Sequence, residues 1–421
     1  MTNTAKAALI ADPAFPHRDF LVCPEKLGKR FSSRFGNSTG VRLEQGECLR
    51  VKYRPGVSLR FLHQYQIGER TVYLVGRTYP QRLWKTAGQL STIQSPSPSQ
   101  FIDDELNTIF YSYPHDRKIA NLDILESPPK TLAKQLDGRW CKSQIIAYAP
   151  EKCVTVQCLN ETDKAIAYAK LYAKIEECPF AIFNLLTQKI KTSGSPLRIP
   201  KVLDYSPLYQ LIFLETVRGQ RLADLTACEQ LTGFALFGEA IARLHALPQP
   251  EGLRVFGRLS EKKINHTAHI ISQVRPEVSE PVNRIARCLV KQSGKFKEMI
   301  SVLHGDVHPK NGLMDDGKLT LIDLDQVSLG DASNDIGSFL ALLRYRKIIG
   351  LLSESQEKSL ANAFVDGYQS VKKLPSHQAL NWHTAAALFA ERAQRAICRY
   401  RSEGLFHLEK ILAETEAMLR N

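Results

Sequence analysis

The sequence predicts an α+β fold, with short antiparallel strands in its first half and helices in its second. Two stretches, 46–79 and 141–172, each divide into three runs of alternating apolar and polar residues separated by turn signals. That is the pattern of a half-buried antiparallel meander. Further along, Phe234, Phe237, Ile241, Leu244 and Leu247 recur every three or four residues, the stripe of an amphipathic helix. Near residue 303 a polar loop and a short apolar strand follow one another.

Taken in order, the first meander turns at Arg54-Pro55-Gly56 and again at Ile67-Gly68-Glu69-Arg70. The second turns at Pro150-Glu151-Lys152 and at Asn160–Asp163. They end alike, in Gly76-Arg77-Thr78-Tyr79 and Ala169-Lys170-Leu171-Tyr172, so we read them as two copies of one three-stranded unit. Between them, residues 91–100 carry Ser, Pro and Gln and read as an exposed connector. Asp116 and Arg117, in the run that follows it, read as structural. After Lys170 comes an apolar helical run, AIFNLLTQKI, and then a buried strand from Leu211 to Glu215. The link Val217–Leu222 leads into the helix ending IARLHAL, whose His245 reads as a packing residue.

Composition narrows the class. At 421 residues, the chain is too long for one ordinary core. Its 43% hydrophobic and 24% charged content are those of a soluble globular protein. No apolar run approaches a membrane span, and the first residues lack a secretory pattern, so no membrane insertion is expected. Nine Cys without CxxC pairs fit a reduced compartment, which points to the cytoplasm. The net charge of +13 is open to several readings. Lys29, Arg30 and Arg34 interleave with Phe31 and Phe35, but no nucleic-acid motif accompanies them. A solvated or interdomain face is expected there, and no nucleic-acid partner.

Residues 303–325, LHGDVHPKNGLMDDGKLTLIDLD, hold the densest chemistry. Asp306 sits in a His-Gly-Asp loop, Asn311 follows five residues on, and Asp323 ends an apolar strand. Phosphoryl transfer needs a carboxylate to orient and deprotonate the attacking hydroxyl, and ligands to hold metal on nucleotide phosphates. Asp306 suits the first role. Asn311 and Asp323 suit the second, because Mg prefers hard oxygens and takes few from protein.

The full pattern is His304, Gly305, Asp306, His308 and Asn311, then Ile322, Asp323 and Asp325, then Gly330, Asp331 and Asp335. It resembles the catalytic segment of the aminoglycoside phosphotransferase and choline kinase superfamily. The IARLHAL helix is similar to that family's helix before the catalytic loop. The resemblance covers roughly 135–345 with specific motifs. It implies a bilobal protein-kinase-like fold, here with an extra N-terminal β-meander-containing region. The expected divisions are 1–130 as that extension, 131–217 as a small nucleotide-binding lobe and 218–421 as a large helical lobe.

The resemblance also implies ATP and Mg as cofactors and a small-molecule hydroxyl acceptor as partner. Asp306 is then the catalytic base, Asn311 and Asp323 the metal ligands, and Lys170 the lysine that pairs with nucleotide phosphates. The backbones of Glu215 and Val217 would pass the adenine. The turn from Pro150 to Cys153 would cover the phosphates, without a GxGxxG. His304 and His308 fit braces for the loop. Asp331 and Asp335 fit residues that cap and pin a helix beginning near Ser333. Asp325 is open, as a positioner of metal or acceptor or as a brace. The family expects a helical Glu to pair with Lys170; here Glu176 or Glu177, Asn184 or Gln188, or another group would have to serve.

Several acceptors are compatible with this pattern. After residue 340 basic side chains outnumber acidic ones, which disfavours a polycationic acceptor. Trp382, Phe389 and Tyr400 would suit an aromatic cage, but read as core. Arg392, Arg395 and Arg399 fall on one face of a helix, where Glu391 can pair with Arg395. The expected acceptor is a sugar or sugar-containing metabolite, with an aminoglycoside or choline-type amino alcohol as one alternative. A silent kinase fold that binds nucleotide or a partner is the other.

Overall fold

The computed structural model describes residues 9–39, 46–80, 83, 100–174, 178–255, 259–296 and 300–420. The connector at 91–99 and both Glu176 and Glu177 lie outside these residues.

Both meanders form, and each recruits two further strands. β1 (Gly46–Arg54), β2 (Ser58–Ile67), β3 (Arg70–Thr78), β4 (Gln100–Asp103) and β5 (Thr108–Ser112) build a sheet in the order β1-β2-β3-β5-β4. β6 (Lys142–Ala149), β7 (Cys153–Leu159), β8 (Ala165–Tyr172), β9 (Val202–Ser206) and β10 (Leu211–Leu214) build a second in the order β6-β7-β8-β10-β9. The orders are the same. The repeat read from the sequence as three strands therefore extends to a whole five-stranded sheet. Registers agree too, with Arg60 opposite Arg77 in one sheet and Thr155 opposite Lys170 in the other.

Strand alternation decides which way Lys170 faces. Ala167, Ala169 and Leu171 of β8 join Val154, Val156 and Cys158 of β7 in a core on the outer face of the second sheet. Lys170 is thereby sent to the other face, where Tyr172 and Ile212 belong to the core shared with the helical lobe.

The chain after α1 (Pro24–Thr39) and the first sheet makes its next long helix at α2 (Phe180–Ser193). The large lobe begins with β11 (Gln220–Arg221) and α3 (Ala227–His245), which opens on a capping box formed by Thr226 and Glu229. α4 (Glu261–Val274) and α5 (Ser279–Gln292) precede β12 (Ile300–Leu303), β13 (Gly312–Asp315), β14 (Lys318–Leu321) and β15 (Ser328–Asp331). α6 (Ser333–Ile348), α7 (Glu354–Gln369) and α8 (His377–Ala387) follow. α8 runs through a π-helical turn, Leu388–Ala393, into α9 (Gln394–Cys398), and α10 (Leu408–Arg420) closes the lobe. α3 and α7 pack at backbone distance: a Cβ on Gly238 would lie 1.9 Å from the Phe364 carbonyl oxygen, and one on Gly367 1.9 Å from that of Ala235.

The first sheet has two buried faces. Val51, Tyr53, Leu59, Phe61 and Phe110 enter a core with residues of α4, α5 and the α8–α10 region. Leu62, Val75 and Tyr111 face the other way, into the core beneath the second sheet. The extension is thus wedged against both lobes. The basic aromatic segment of α1 belongs to it. Phe31 is buried against Phe101 and Phe110, and Arg30 donates to Asp103 at 2.9 Å and Glu105 at 2.6 Å. All nine cysteines are free, and among the described residues no helix is long and apolar enough to cross a membrane.

Candidate active site

β12 delivers the chain into the loop that carries Asp306. Gly305 has a φ of +77°, and a Cβ there would lie 2.2 Å from the Gln326 carbonyl oxygen, so the loop can pass only as glycine. The buried carboxylate of Asp335, from the first turn of α6, accepts from the backbone N–H groups of His304 at 2.7 Å and Gly305 at 3.0 Å. His245 Nε2, at the end of α3, lies 3.1 Å from the same carboxylate, and its Nδ1 lies 3.0 Å from the Tyr368 hydroxyl. The assignment of Asp335 to helix capping is thereby corrected: it pins the catalytic loop. Asp331 does cap the helix, accepting from Ser333 N–H at 2.8 Å. His245 is more than packing, since it ties α3 to that loop.

His304 braces the loop from inside. Its Nδ1 accepts from the Asp306 N–H at 3.3 Å while Nε2 donates to the Ile322 carbonyl at 3.0 Å, which links the loop to the strand end before Asp323. These bonds fit a neutral ring protonated on Nε2. His308 accepts from the Lys310 N–H at 3.1 Å, and burial, aided by Arg392, lowers its pKa to about 4. Asn311 is buried and donates its Nδ2 to the Asp306 carbonyl at 2.9 Å. That bond occupies the amide nitrogen and leaves the oxygen available as a ligand.

Asp323 stands at the end of β14 with a φ of +58°, partly open to the cleft. Lys170 Nζ donates to Asp323 at 3.0 Å and to Asp325 at 2.8 Å, and the Tyr172 hydroxyl donates to Asp325 at 2.9 Å. Burial works against the charged lysine, but the two carboxylates outweigh it and push its pKa up. Burial likewise raises Asp323, and Lys170 overcomes it to hold the carboxyl below its ordinary value. Asp325 is thereby tied to Lys170 and Tyr172. Asn184 and Gln188 point to solvent from α2 and do not substitute for the missing helical Glu.

At the interlobe link, the Glu215 N–H is engaged by the Lys201 carbonyl at 3.0 Å, and the Glu215 carboxylate accepts from Lys201 N–H at 2.9 Å. Among the described residues the Glu215 carbonyl and the Val217 backbone take part in no hydrogen bond.

A feature not foreseen from the sequence holds the turn between β6 and β7. Glu151, with a φ of +61°, is buried beneath three arginines: Arg60 at 2.7 Å, Arg77 at 3.3 Å and Arg117 at 3.1 Å. Burial pushes its carboxyl up, and the arginines more than cancel this and hold it below the usual carboxylate range. Asp116 accepts from the Glu151 N–H at 2.9 Å and from the Tyr148 hydroxyl at 2.7 Å. The sequence held two signals for this clamp: Arg77, standing in the first meander where Lys170 stands in the second, and the structural reading of Asp116 and Arg117.

The arginine stripe of the last helix also needs correction. The π-helical turn breaks its spacing. Arg392 is buried and donates to the Ser338 carbonyl at 3.0 Å, while Glu391 accepts from the Ser338 hydroxyl at 2.8 Å instead of pairing with Arg395. Trp382 and Phe389 are core residues, as expected.

Asp323 and Asn311 offer a carboxylate and an amide oxygen, hard donors of the kind Mg takes. Among the described residues no group of three or more His, Cys, Asp or Glu could hold a metal, so a metal here would draw on these two side chains and on phosphate oxygens.

Across a two-lobed fold, a lysine on the small-lobe sheet thus pairs with Asp323 and Asp325 of the segment that also carries Asp306 and Asn311. Residues 183–374 match the model described as "Phosphotransferase enzyme family", and the resemblance read from the catalytic segment is borne out over that stretch. No curated protein sequence matches. Among solved structures, similarity extends to the gentamicin complex of APH(2")-IIa, at 16% identity, 69% of this chain, 96% of that chain and a TM-score of 0.48. A spectinomycin phosphotransferase, APH(9)-Ia, with ADP and spectinomycin gives 15%, 68%, 97% and 0.48. A choline/ethanolamine kinase family protein from Mesorhizobium loti gives 15%, 71%, 93% and 0.49. None of these matches supports the sugar acceptor expected above.

Proposed function

We propose that this chain transfers the γ-phosphate of ATP to a hydroxyl group of a small molecule, with Mg. The observation that carries this reading is the convergence of Lys170, Asp323 and the Asp306–Asn311 pair: Lys170 reaches Asp323 across the lobes at 3.0 Å, and Asn311 holds the Asp306 backbone at 2.9 Å. In this reading adenine lies against the Glu215 carbonyl and the Val217 backbone. Lys170 steadies the phosphates, and the clamped turn at Glu151 covers them. Asn311 and Asp323 would hold Mg, whose charge offsets that of the phosphates when bound. The acceptor oxygen attacks the γ-phosphorus in line. An O–P bond forms, the bond to the β-bridging oxygen breaks, ADP leaves, and Asp306 takes the acceptor's proton.

The test is Mg-dependent loss of the γ-phosphate against pooled hydroxyl compounds, with Asp306→Asn alongside. Turnover that the variant loses, with nucleotide affinity kept, is expected. Equal loss of turnover and nucleotide binding would reassign Asp306 to a structural role. Nucleotide binding without transfer to any pool would favour the silent-kinase reading.

A further inference from the structure

Asp325 and Tyr172 stand beside the transfer site with no task in the reaction described above. Lys170 and Tyr172 are two residues apart on β8, so both side chains leave the same face of the sheet. Across from them, Asp323 takes its φ of +58° and the chain runs at once into a short 3-10 turn, Leu324–Gln326. That bend lets two carboxylates meet one ammonium, Asp323 at 3.0 Å and Asp325 at 2.8 Å.

The two carboxylates are not equivalent. Each oxygen of Asp325 already has a donor, Oδ2 from Lys170 and Oδ1 from the Tyr172 hydroxyl at 2.9 Å. Asp323 uses Oδ1 alone on Lys170, and among the described residues its Oδ2 accepts no hydrogen bond. Exposure divides them in the same way: the Asp325 side chain is 9% exposed and that of Asp323 44%. Asp323 is therefore free to offer an oxygen to a metal. Asp325 could do so only by stripping a buried phenol of its acceptor, which leaves a buried donor unsatisfied. Tyr172 also holds the other member of the pair, since its ring centroid lies 5.5 Å from Lys170 Nζ. An ammonium on a flexible stem needs such fixing if it is to meet phosphates at one set place.

We propose that Asp325, fixed by Tyr172, is the standing counter-ion of Lys170 and a positioning residue for transfer, keeping the ammonium aimed at the nucleotide phosphates while Asp323 serves the metal. Asp325 thereby takes the place of the helical carboxylate that the resemblance implied. Among the described residues Lys170 has no carboxylate partner besides Asp323 and Asp325. This rests on the phosphotransferase reading and deepens it.

The first experiment is a double-mutant cycle on the full chain without nucleotide or metal, read by urea unfolding. Lys170→Met with Asp325→Asn should show a coupling of about tenfold or more in the unfolding equilibrium, and Lys170→Met with Asp323→Asn a clearly smaller one. The second is steady-state kinetics of Tyr172→Phe, which removes one hydroxyl and no charge and so keeps the test readable if Asp325→Asn does not fold. Its kcat is expected to fall about tenfold or more, with nucleotide KM and the Mg concentration for half-maximal rate within about twofold of the parent chain. Strictly additive effects of Lys170→Met and Asp325→Asn overturn the proposal, as does a Tyr172→Phe chain with unchanged kcat. A Tyr172→Phe defect that extra Mg repairs also overturns it, by making Asp325 a metal ligand. Failure of the phosphotransferase reading shows separately, as absence of any Asp306-dependent transfer in a chain that keeps the Lys170–Asp325 coupling.

Discussion

At the scale of the residue, Asp335 governs the catalytic loop without reaching the cleft. Its carboxylate takes two loop N–H groups and faces His245, all buried. Asp335→Asn puts an amide NH₂ where one of these donors needs an oxygen, leaving a buried donor unsatisfied. We expect a loss of roughly 1–3 kcal/mol in stability. A kcat lower by on the order of 100-fold through misplacement of Asp306 is also expected, with little change in nucleotide KM. Steady-state kinetics with a thermal melt checks this, and an unchanged kcat would confine Asp335 to stability. His63 is the other buried titratable side chain to test. Burial lowers its pKa to about 4, as it does for His308. The unfolded chain therefore binds more protons than the native one between about pH 4 and the ordinary histidine value of 6.5. Stability should rise across that window and level off above it. Urea midpoints at pH 4.5 and 7 test the sign, and His63→Gln should flatten the slope.

At the scale of the element, the β6–β7 turn is held by charge. Glu151→Ala would leave Arg60, Arg77 and Arg117 facing one another without their shared carboxylate. Breaking a buried ion pair from one side costs roughly 3–5 kcal/mol. We expect a lower melting temperature and a several-fold higher nucleotide KM, because the covering turn loses its anchor. A melting temperature that falls while KM stays constant would detach the clamp from nucleotide binding. The α3–α7 contact gives a prediction of a different kind. Gly367→Ala places a methyl where the Ala235 carbonyl oxygen lies, so the helices must separate. Overpacking of this sort costs typically about 1–3 kcal/mol, which denaturant unfolding would read directly.

At the scale of the whole molecule, the N-terminal sheet is built into both cores. Its described residues cover apolar surface of α4, α5 and the α8–α10 region on one face and of the second sheet's outer core on the other. A chain beginning at residue 131 would expose both surfaces. We expect it to be insoluble or molten, with no cooperative melt. A soluble, cooperatively folding fragment would make the extension a separate docking unit.

Much of this was legible in the chain. Strand alternation, turn residues and the His-Gly-Asp segment are local features. They marked the two meanders, the α3 stripe and the candidates Asp306, Asn311 and Asp323, because period and spacing act between near neighbours, whereas Lys170 was picked out by the family resemblance. What lay beyond reach were pairings between distant residues: Lys170 with Asp325, Asp335 with the loop, and Glu151 with three arginines. The π-helical turn defeated the arginine stripe for a related reason, since a helix register set by packing against Ser338 is not written in a period of 3.6. The sequence by itself pointed to phosphoryl transfer as the chemistry of the His-Gly-Asp segment. Only the tertiary structure decided that the first sheet is built into both cores, because long-range packing, not local propensity, brings β1 against α9.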